Sequence, residues 1–378
     1  GDTMKKITIL ALHLGYGGIE RCISTLANSL IDEYEIEIIS TYKIYDEPAF
    51  KIDDKVKIKY LINDKPNKKE IEESLKNFKI VIFIKEFIKG FKILKLKKKL
   101  MIKEIKKCNS DVIISTRDIH NEWLGKYAKK GILKIGWEHN YHNNDKLYIN
   151  KIVKSVENLD YFVLVSKELK NFYEMELQNK KVKCVYIPNS LSYFPSKVSD
   201  LDQKRIISVG RLSKEKGYVD LIDVFSLVNQ VYPDWKFDIV GDGHELNEIK
   251  RKINNKKLDN VVTLHGFQNR DYINRLLQES SIYVMCSHTE SFGIVLLEAF
   301  SFGIPCIAFS SANGAKEIIS NNWDGYLIDN RDKKNMAKKI CELIANQNRR
   351  IIMGANGRKK ADKYKTEEIK KLWIDIIK

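Results

Sequence analysis

The chain has 378 residues, 43% hydrophobic and 31% charged, which is the composition of a folded protein with room for two ordinary domains and excludes a disordered chain. No apolar run approaches the length of a membrane-spanning helix, and no signal peptide is expected. The formal charge is +16, and the six dispersed cysteines, none in a C-x-x-C spacing, are expected to be free thiols in a reducing compartment rather than disulfides or a zinc site.

Gly1-Asp2-Thr3 ahead of Met4 reads as a remnant of expression. Residues 5–12 read as a buried strand opening a βα unit. The turn Gly15-Tyr16-Gly17-Gly18-Ile19-Glu20-Arg21 and a helix over 22–30 follow. Glycine lets backbone approach a ligand closely at such a turn, although a plain tight turn needs no such role. A dinucleotide fingerprint would require G-x-G-x-x-G, but Glu20 stands at the third glycine. The next strand, 36–40, also lacks the acid that would hold an adenine ribose, so NAD is not expected.

Between residues 65 and 107, fifteen lysines stand against five glutamates, and residues 80–94 interleave apolar side chains with lysine. This segment reads either as a solvated helix face or as a basic amphipathic stretch lying on anionic lipid. No nucleic-acid-binding module accompanies the lysines and arginine is scarce, so nucleic acid is not expected as a partner.

Strands follow at 111–116 and 132–137, the second leading into Glu138-His139-Asn140-Tyr141-His142. Open α/β sheets hold ligands just past the carboxyl ends of their strands, where His139 and His142 fall, although a lone histidine is more often structural; the choice of His139 over His142 rests on the family resemblance given below. Residues 161–166 and 182–187 complete a first sheet. Regular pattern lapses from Pro188, and 191–203 reads as a linker. Alternation then resumes with a strand at 205–210, a loop over 211–217 and a helix from Tyr218. Further strands lie at 235–240, ending at Gly241-Asp242-Gly243, and at 260–264, ending at His265-Gly266-Phe267. Two more lie at 282–285 and 305–309. This regular βα order implies a second doubly wound parallel sheet.

The stretch that organises the chain is His288-Thr289-Glu290-Ser291-Phe292-Gly293-Ile294-Val295-Leu296-Leu297-Glu298-Ala299. It reads as a polar loop after a buried strand, followed by a helix, with one carboxylate in the loop and another about two turns on. The N–H groups of Phe292, Gly293 and Ile294 at the helix start can receive an anion. Carboxylates repel phosphate, so Glu290 and Glu298 make sense as acceptors for sugar hydroxyls. Phosphate on backbone and hydroxyls on carboxylates together describe a nucleotide sugar. Leu297, Ala299 and Phe300 around Glu298 imply partial burial, which demands a partner.

Glu290 and Glu298, with seven residues between them, resemble the E-x7-E signature of retaining glycosyltransferases of the GT-B fold, of the family 4 (glycosyl transferases group 1) type. The resemblance extends through Gly210-Arg211-Leu212-Ser213-Lys214-Glu215-Lys216-Gly217, Gly303-Ile304-Pro305-Cys306-Ile307 and Gly314-Ala315-Lys316-Glu317-Ile318-Ile319. It implies an α/β fold of two Rossmann-like doubly wound domains facing a cleft. Residues 4–190 would form the acceptor-binding domain, joined by a C-terminal helix (360–378) that crosses back to it, and residues 204–359 the nucleotide-sugar-binding domain. By this resemblance Glu298 binds ribose hydroxyls and Glu290 hydroxyls of the donor sugar. Ser291, Phe292, Gly293 and Ile294 line the phosphate site, and the nucleobase lies near Gly241, Gly266 and Phe267. Gly17 and Gly18 lie beside the donor phosphates and the acceptor, and His139 near the transferred sugar. The catalytic set so implied is His139, Glu290, Arg211 and Lys216.

Transfer from a nucleoside diphosphate builds negative charge on the leaving group, which a metal or fixed cations must stabilise. No Asp-x-Asp lies at a strand end, so no metal site and no cofactor are expected beyond the donor, a UDP-sugar before GDP or ADP. Arg211 and Lys216, five apart on one loop, suit the cation role, although each alone would be an ordinary surface charge. Two carboxylates also serve glycoside hydrolysis, but the neighbouring cations and the partial burial of Glu298 disfavour it. Retention follows from the resemblance, and a front-face route in which the leaving phosphate helps deprotonate the acceptor is its usual corollary. The expected activity is therefore metal-independent transfer of a hexose or N-acetylhexosamine to a lipid-linked or polysaccharide acceptor in bacterial cell-surface glycan synthesis. The expected location is cytoplasmic and peripheral on the inner face of the plasma membrane. The rivals are a soluble transferase acting on a protein or small molecule, and a non-catalytic sugar-nucleotide-binding or scaffold protein. The presence of Arg211, Lys216 and Glu298 together counts against the last.

Overall fold

A computed structural model describes residues 4–63, 66–77 and 79–378. Gly1, Asp2 and Thr3, and Lys65 at the start of the basic stretch, lie outside the described residues. The chain divides into two compact units. The first takes the residues up to Leu164, then Leu169–Ile187 and Lys370–Lys378; the second takes Val165–Glu168 and Pro188–Ile369.

The first unit runs β1 (Lys6–Ala11), α1 (Gly18–Leu30), β2 (Glu35–Tyr42), β3 (Lys57–Ile62), α2 (Lys68–Lys76), α3 (Ile80–Lys107) and β4 (Val112–Ser115). It continues with α4 (Asp118–Tyr127), β5 (Leu133–Glu138), α5 (Lys146–Val156), β6 (Tyr161–Leu164), α6 (Lys167–Glu176) and β7 (Lys183–Tyr186). The strands form one parallel sheet in the order β3-β2-β1-β4-β5-β6-β7. β1 pairs with β2 on one side (Ile7 to Ile36) and β4 on the other (Ile7 to Val112). Strand order therefore reverses at β1, which opens a crevice at its carboxyl end where α/β sheets take ligands. Ile7, Ile9, Ile36, Ile38, Ile113 and Ile114 are wholly buried, as strands covered by helices on both faces require.

β3 has no counterpart among the strands read from sequence. Its exposed Lys57 and Lys59 alternate with Ile58 and Tyr60, and it forms the sheet edge, where lysine blunts association with another strand. The basic stretch folds largely as α3. Ile93, Met101 and Ile105 bury its later turns and Glu104 pairs with Lys59 at 2.7 Å, while Ile80, Ile84, Phe87, Phe91 and Leu94 stay exposed. Asn67, just ahead of α2, donates from its side-chain amide to the backbone and carboxylate of Glu86 at 2.8 and 2.9 Å, bracing α2 against α3.

The second unit runs β8 (Arg205–Val209), α7 (Tyr218–Val231), β9 (Lys236–Val240), α8 (Leu246–Asn255), β10 (Val262–Leu264), α9 (Arg270–Gln278) and β11 (Ile282–Met285). It continues with α10 (Ile294–Ser301), β12 (Cys306–Phe309), α11 (Asn313–Ile318), β13 (Gly325–Ile328), α12 (Lys333–Ala345), α13 (Gln347–Asp362) and α14 (Thr366–Ile377). Its parallel sheet has the order β10-β9-β8-β11-β12-β13, so strand order reverses between β8 and β11. The short edge strand β13 was likewise not read from sequence. α10, which follows the E-x7-E loop, lies close against α13: a Cβ at Gly357 would overlap the ring of Phe300, and one at Gly354 would overlap the carbonyl of Gly303. The last residues of α14 return to the first unit. There Trp373 is buried edge-on against Trp137, with ring centroids 4.8 Å apart, and Lys370 pairs with Glu33 at 2.6 Å.

Candidate functional site

In the second unit the carboxyl ends of β8, β9 and β11 carry the residues picked out from sequence. After β8 the chain makes a single turn over Lys214–Lys216 and leaves it through Gly217 at φ 67°. A Cβ at Gly217 would overlap the carbonyl oxygen of Cys286, so only glycine lets this loop lie against the end of β11. The backbone N–H of His288 donates to the carbonyl of Glu215 at 2.8 Å and fixes the same contact. Lys216 thereby reaches Glu290, 74 residues later, with Nζ 2.5 Å from Oε2. The carbonyl of Glu290 accepts from the N–H of Gly314 at 2.8 Å, and a Cβ at Gly314 would crowd the backbone of Phe292. The stretch Glu290-Ser291-Phe292 is thus held from both sides. Phe292 is buried and Gly293, at φ 80°, turns the chain so that α10 begins at Ile294.

Glu298 faces inward from α10 and is 5% exposed. Its partner is Arg270, whose Nη2 lies 2.9 Å from Oε2. Arg270 opens α9, and that helix is capped by Asn269, which accepts from the N–H of Tyr272 at 2.9 Å. Sequence reasoning required a partner for Glu298 but did not identify Arg270. The available signal was its place at the start of the helix after His265-Gly266-Phe267. Arg211 is not drawn into this group: it is 70% exposed and pairs with Glu215, four residues on, at 3.0 Å.

Gly241 (φ 144°) donates to the carbonyl of Gly266 at 2.9 Å, and a Cβ there would overlap the carbonyl of Gly210. The loops after β8, β9 and β10 are therefore in backbone contact. Gly266 (φ 68°) has open space where a side chain would stand, and Phe267 beside it is exposed. Behind them His265 is fixed between Asp238 at 2.6 Å and the hydroxyl of Tyr272 at 2.8 Å, while Arg205 forks onto Asp238 at 3.0 and 3.1 Å.

In the first unit the glycine turn leads into α1, with Gly17 just before it and Gly18 its first residue. Glu20 is buried, accepts from Arg117 at 2.9 Å and lies 3.6 Å from Nε2 of His13. A Cβ at Gly17 would meet the tip of the Glu20 carboxylate, which would have to shift; the same test at Gly18 meets open space. Neither Glu20 nor Arg117 was assigned a role from sequence.

His139 stands at the end of β5, its ring 4.3 Å from that of Trp137, with Nε2 buried and unpartnered in the described residues. Burial, aided by the Arg117 charge, lowers its pKa to about 3. The preceding Glu138 accepts from the N–H groups of His139 and Asn140 at 2.9 and 2.8 Å and from the Tyr148 hydroxyl at 3.1 Å. Burial outweighs those bonds and raises the Glu138 pKa to about 7. His142 is a packing residue, stacked between Tyr141 and Phe172 at 4.5 and 4.0 Å. Among the described residues no group of three or more His, Cys, Asp or Glu side chains could hold a metal ion.

Residues 191–360 match the family described as glycosyl transferases group 1. An uncharacterized glycosyltransferase of Haemophilus influenzae is 28% identical, covering 99% of this chain and 100% of its own length. A Campylobacter jejuni protein is also 28% identical, with 99% and 98% covered, and is named GalNAc-alpha-(1->4)-GalNAc-alpha-(1->3)-diNAcBac-PP-undecaprenol alpha-1,4-N-acetyl-D-galactosaminyltransferase. Among solved structures, a TarM variant from S. aureus in complex with fondaparinux, alpha-GlcNAc-glycerol and UDP superposes with a TM-score of 0.79. It is 17% identical and covers 99% of this chain and 100% of that one.

The environment of His139 makes a testable statement. Its imidazole NMR resonance is expected to stay at the neutral position from about pH 8 down to about pH 5. The unfolded imidazole protonates near its ordinary 6.5 and the folded one near 3, so His139 contributes stability above 6.5 that is lost as pH falls through that window. A resonance titrating with a midpoint near 6.5 would contradict this burial.

Proposed function

We propose that this chain, which belongs to the glycosyl transferases group 1 family and has the GT-B fold, is a retaining transferase that moves a hexose or N-acetylhexosamine from a UDP-sugar to a saccharide acceptor. The observation that carries this reading is the Lys216–Glu290 pair, held at the N-terminus of α10 two turns before the buried Glu298. A sugar and a ribose both need hydroxyl acceptors, and a diphosphate between them needs donors and positive charge. Glu290, Glu298, the start of α10 and Lys216 offer these in that order.

In this reading the bond between the anomeric carbon and the β-phosphate oxygen breaks, and the diphosphate leaves onto Lys216 and the backbone of Phe292 to Ile294, with Arg211 exchanging Glu215 for the phosphate. The acceptor oxygen attacks from the same face and its proton passes to the departing phosphate. Glu290 orients the donor sugar, Glu298 the ribose, and His139, neutral throughout the physiological range, lines the sugar side. Gly17 and Gly18 admit the donor phosphates closely, and Gly241, Gly266 and Phe267 receive the base. UDP present with TarM supports the donor class, and the undecaprenol-linked acceptor named for the C. jejuni relative supports a lipid-linked saccharide. Lys216→Ala should lower kcat for a competent UDP-sugar by roughly 10²–10³, the usual loss of one transition-state donor. An unchanged kcat in a correctly folded variant would remove Lys216 from the mechanism.

The acceptor's location rests on α3. Among the described residues no helix is long and apolar enough to cross a membrane. Ile80, Ile84, Phe87, Phe91 and Leu94, spaced four, three, four and three, nonetheless form one exposed apolar stripe. Lys85, Lys89, Lys92 and Lys95 are interspersed with it, and Glu86 is the single acid between Lys79 and Lys103. An apolar stripe with positive flanks fits an anionic bilayer surface, whereas two such helices would repel each other. The chain should sediment with phosphatidylglycerol vesicles and not with phosphatidylcholine vesicles, and Ile84→Asp with Phe91→Asp should abolish this. Equal sedimentation of wild type and double variant, or none with either vesicle, would overturn the membrane assignment.

A further inference from the structure

We infer that the first unit carries a saccharide-binding subsite of its own, on the Tyr16–Tyr45 pair and the cavity beside it. It would hold the non-reacting part of a glycan acceptor; that role rests on the transferase reading, but binding itself does not. β1, β2 and β3 are parallel neighbours, so the segments after them emerge side by side at the ligand edge of the sheet. The segment after β1 carries Tyr16, that after β2 carries Lys43, Tyr45 and Asp46, and that after β3 carries Asn63. Tyr16 and Tyr45 are 56% and 46% exposed, and their rings meet edge-on with centroids 5.8 Å apart. Phe50 backs Tyr16 at 5.9 Å and a Cβ at Gly15 would touch the Tyr45 ring, so the pair is supported from behind.

A cavity of about 710 Å³ opens against Tyr45 and is lined by Lys43, Asp46, Asn63, Glu70 and Lys89. This volume lies within the range of about 300–1,000 Å³ usual for small-molecule sites. The lining decides the ligand class. Among the described residues the lining holds two lysines and two carboxylates, a balanced set in a chain whose net charge is +16. A phosphate would meet both carboxylates, and an apolar ligand would strand every polar group around it. A neutral polyhydroxylated ligand satisfies all of them: carboxylates accept from hydroxyls, ammonium groups donate to them, and the Asn63 amide does both. The apolar C–H face of a pyranose covers an exposed tyrosine ring and leaves its hydroxyls for these groups, as amphipathic aromatics permit.

The test is saturation-transfer NMR on the full chain. The probes are maltose, lactose, chitobiose and the methyl glycosides of glucose, galactose, N-acetylglucosamine and N-acetylgalactosamine. At least one saccharide should receive saturation without any nucleotide. Its signal should fall at least about fivefold in Tyr45→Ala and in the isosteric double variant Asp46→Asn/Glu70→Gln, while UDP affinity stays within about twofold of wild type. No transfer to any saccharide, or transfer unchanged in both variants, would overturn the subsite. Failure of UDP to bind would instead strike the transferase reading and leave the saccharide result to be judged alone.

Discussion

Much of the geometry around Glu290 depends on one backbone approach. Gly217 brings the loop after β8 against the carbonyl of Cys286 at the end of β11, where no side chain fits. Without that contact Lys216 would not meet Glu290, because the two residues come from different βα units and share no local structure. A larger residue at 217 would suffer twice, from its positive φ and from the overlap.

The same electrostatic rule recurs at both sheets. Glu20 and Glu298 are buried and Glu290 is largely so; they are answered by Arg117, Arg270 and Lys216. A carboxylate removed from water needs a cation or donors, and removing a partner from a buried pair costs about 3–5 kcal/mol because the remaining charge is stranded. Within its own unit each pair therefore fixes the loops it joins and keeps polar groups available at the ends of the strands. A ligand that brings its own hydroxyls or phosphates can replace one member of a pair without leaving the other unpaired.

Much of this was legible in the sequence because it is written locally. The buried strands announce themselves as short apolar runs, and Glu290, Gly293 and Glu298 lie within one strand-loop-helix unit. The fold class and the burial of Glu298 follow from such signals. Arg270 was not legible, since its pairing with Glu298 depends on how α9 and α10 sit around β11. The Glu20–Arg117 pair is equally non-local, its members standing 97 positions apart, and so is the position it gives the Glu20 carboxylate beside Gly17. β3 escaped notice because alternating lysines at a sheet edge look like solvated chain until the neighbouring strand is placed.

On the function proposed above, Glu298 is a nucleotide-binding carboxylate and not merely a buried helix residue neutralised by Arg270. Calorimetric titration of UDP into wild type and Glu298→Gln, with thermal melts to establish that both are folded, tests it most directly. UDP is expected to bind in preference to GDP and ADP, with affinity weakened at least about tenfold (~1.4 kcal/mol) in the variant. Absence of nucleotide binding, or equal affinity in the two proteins, would contradict it.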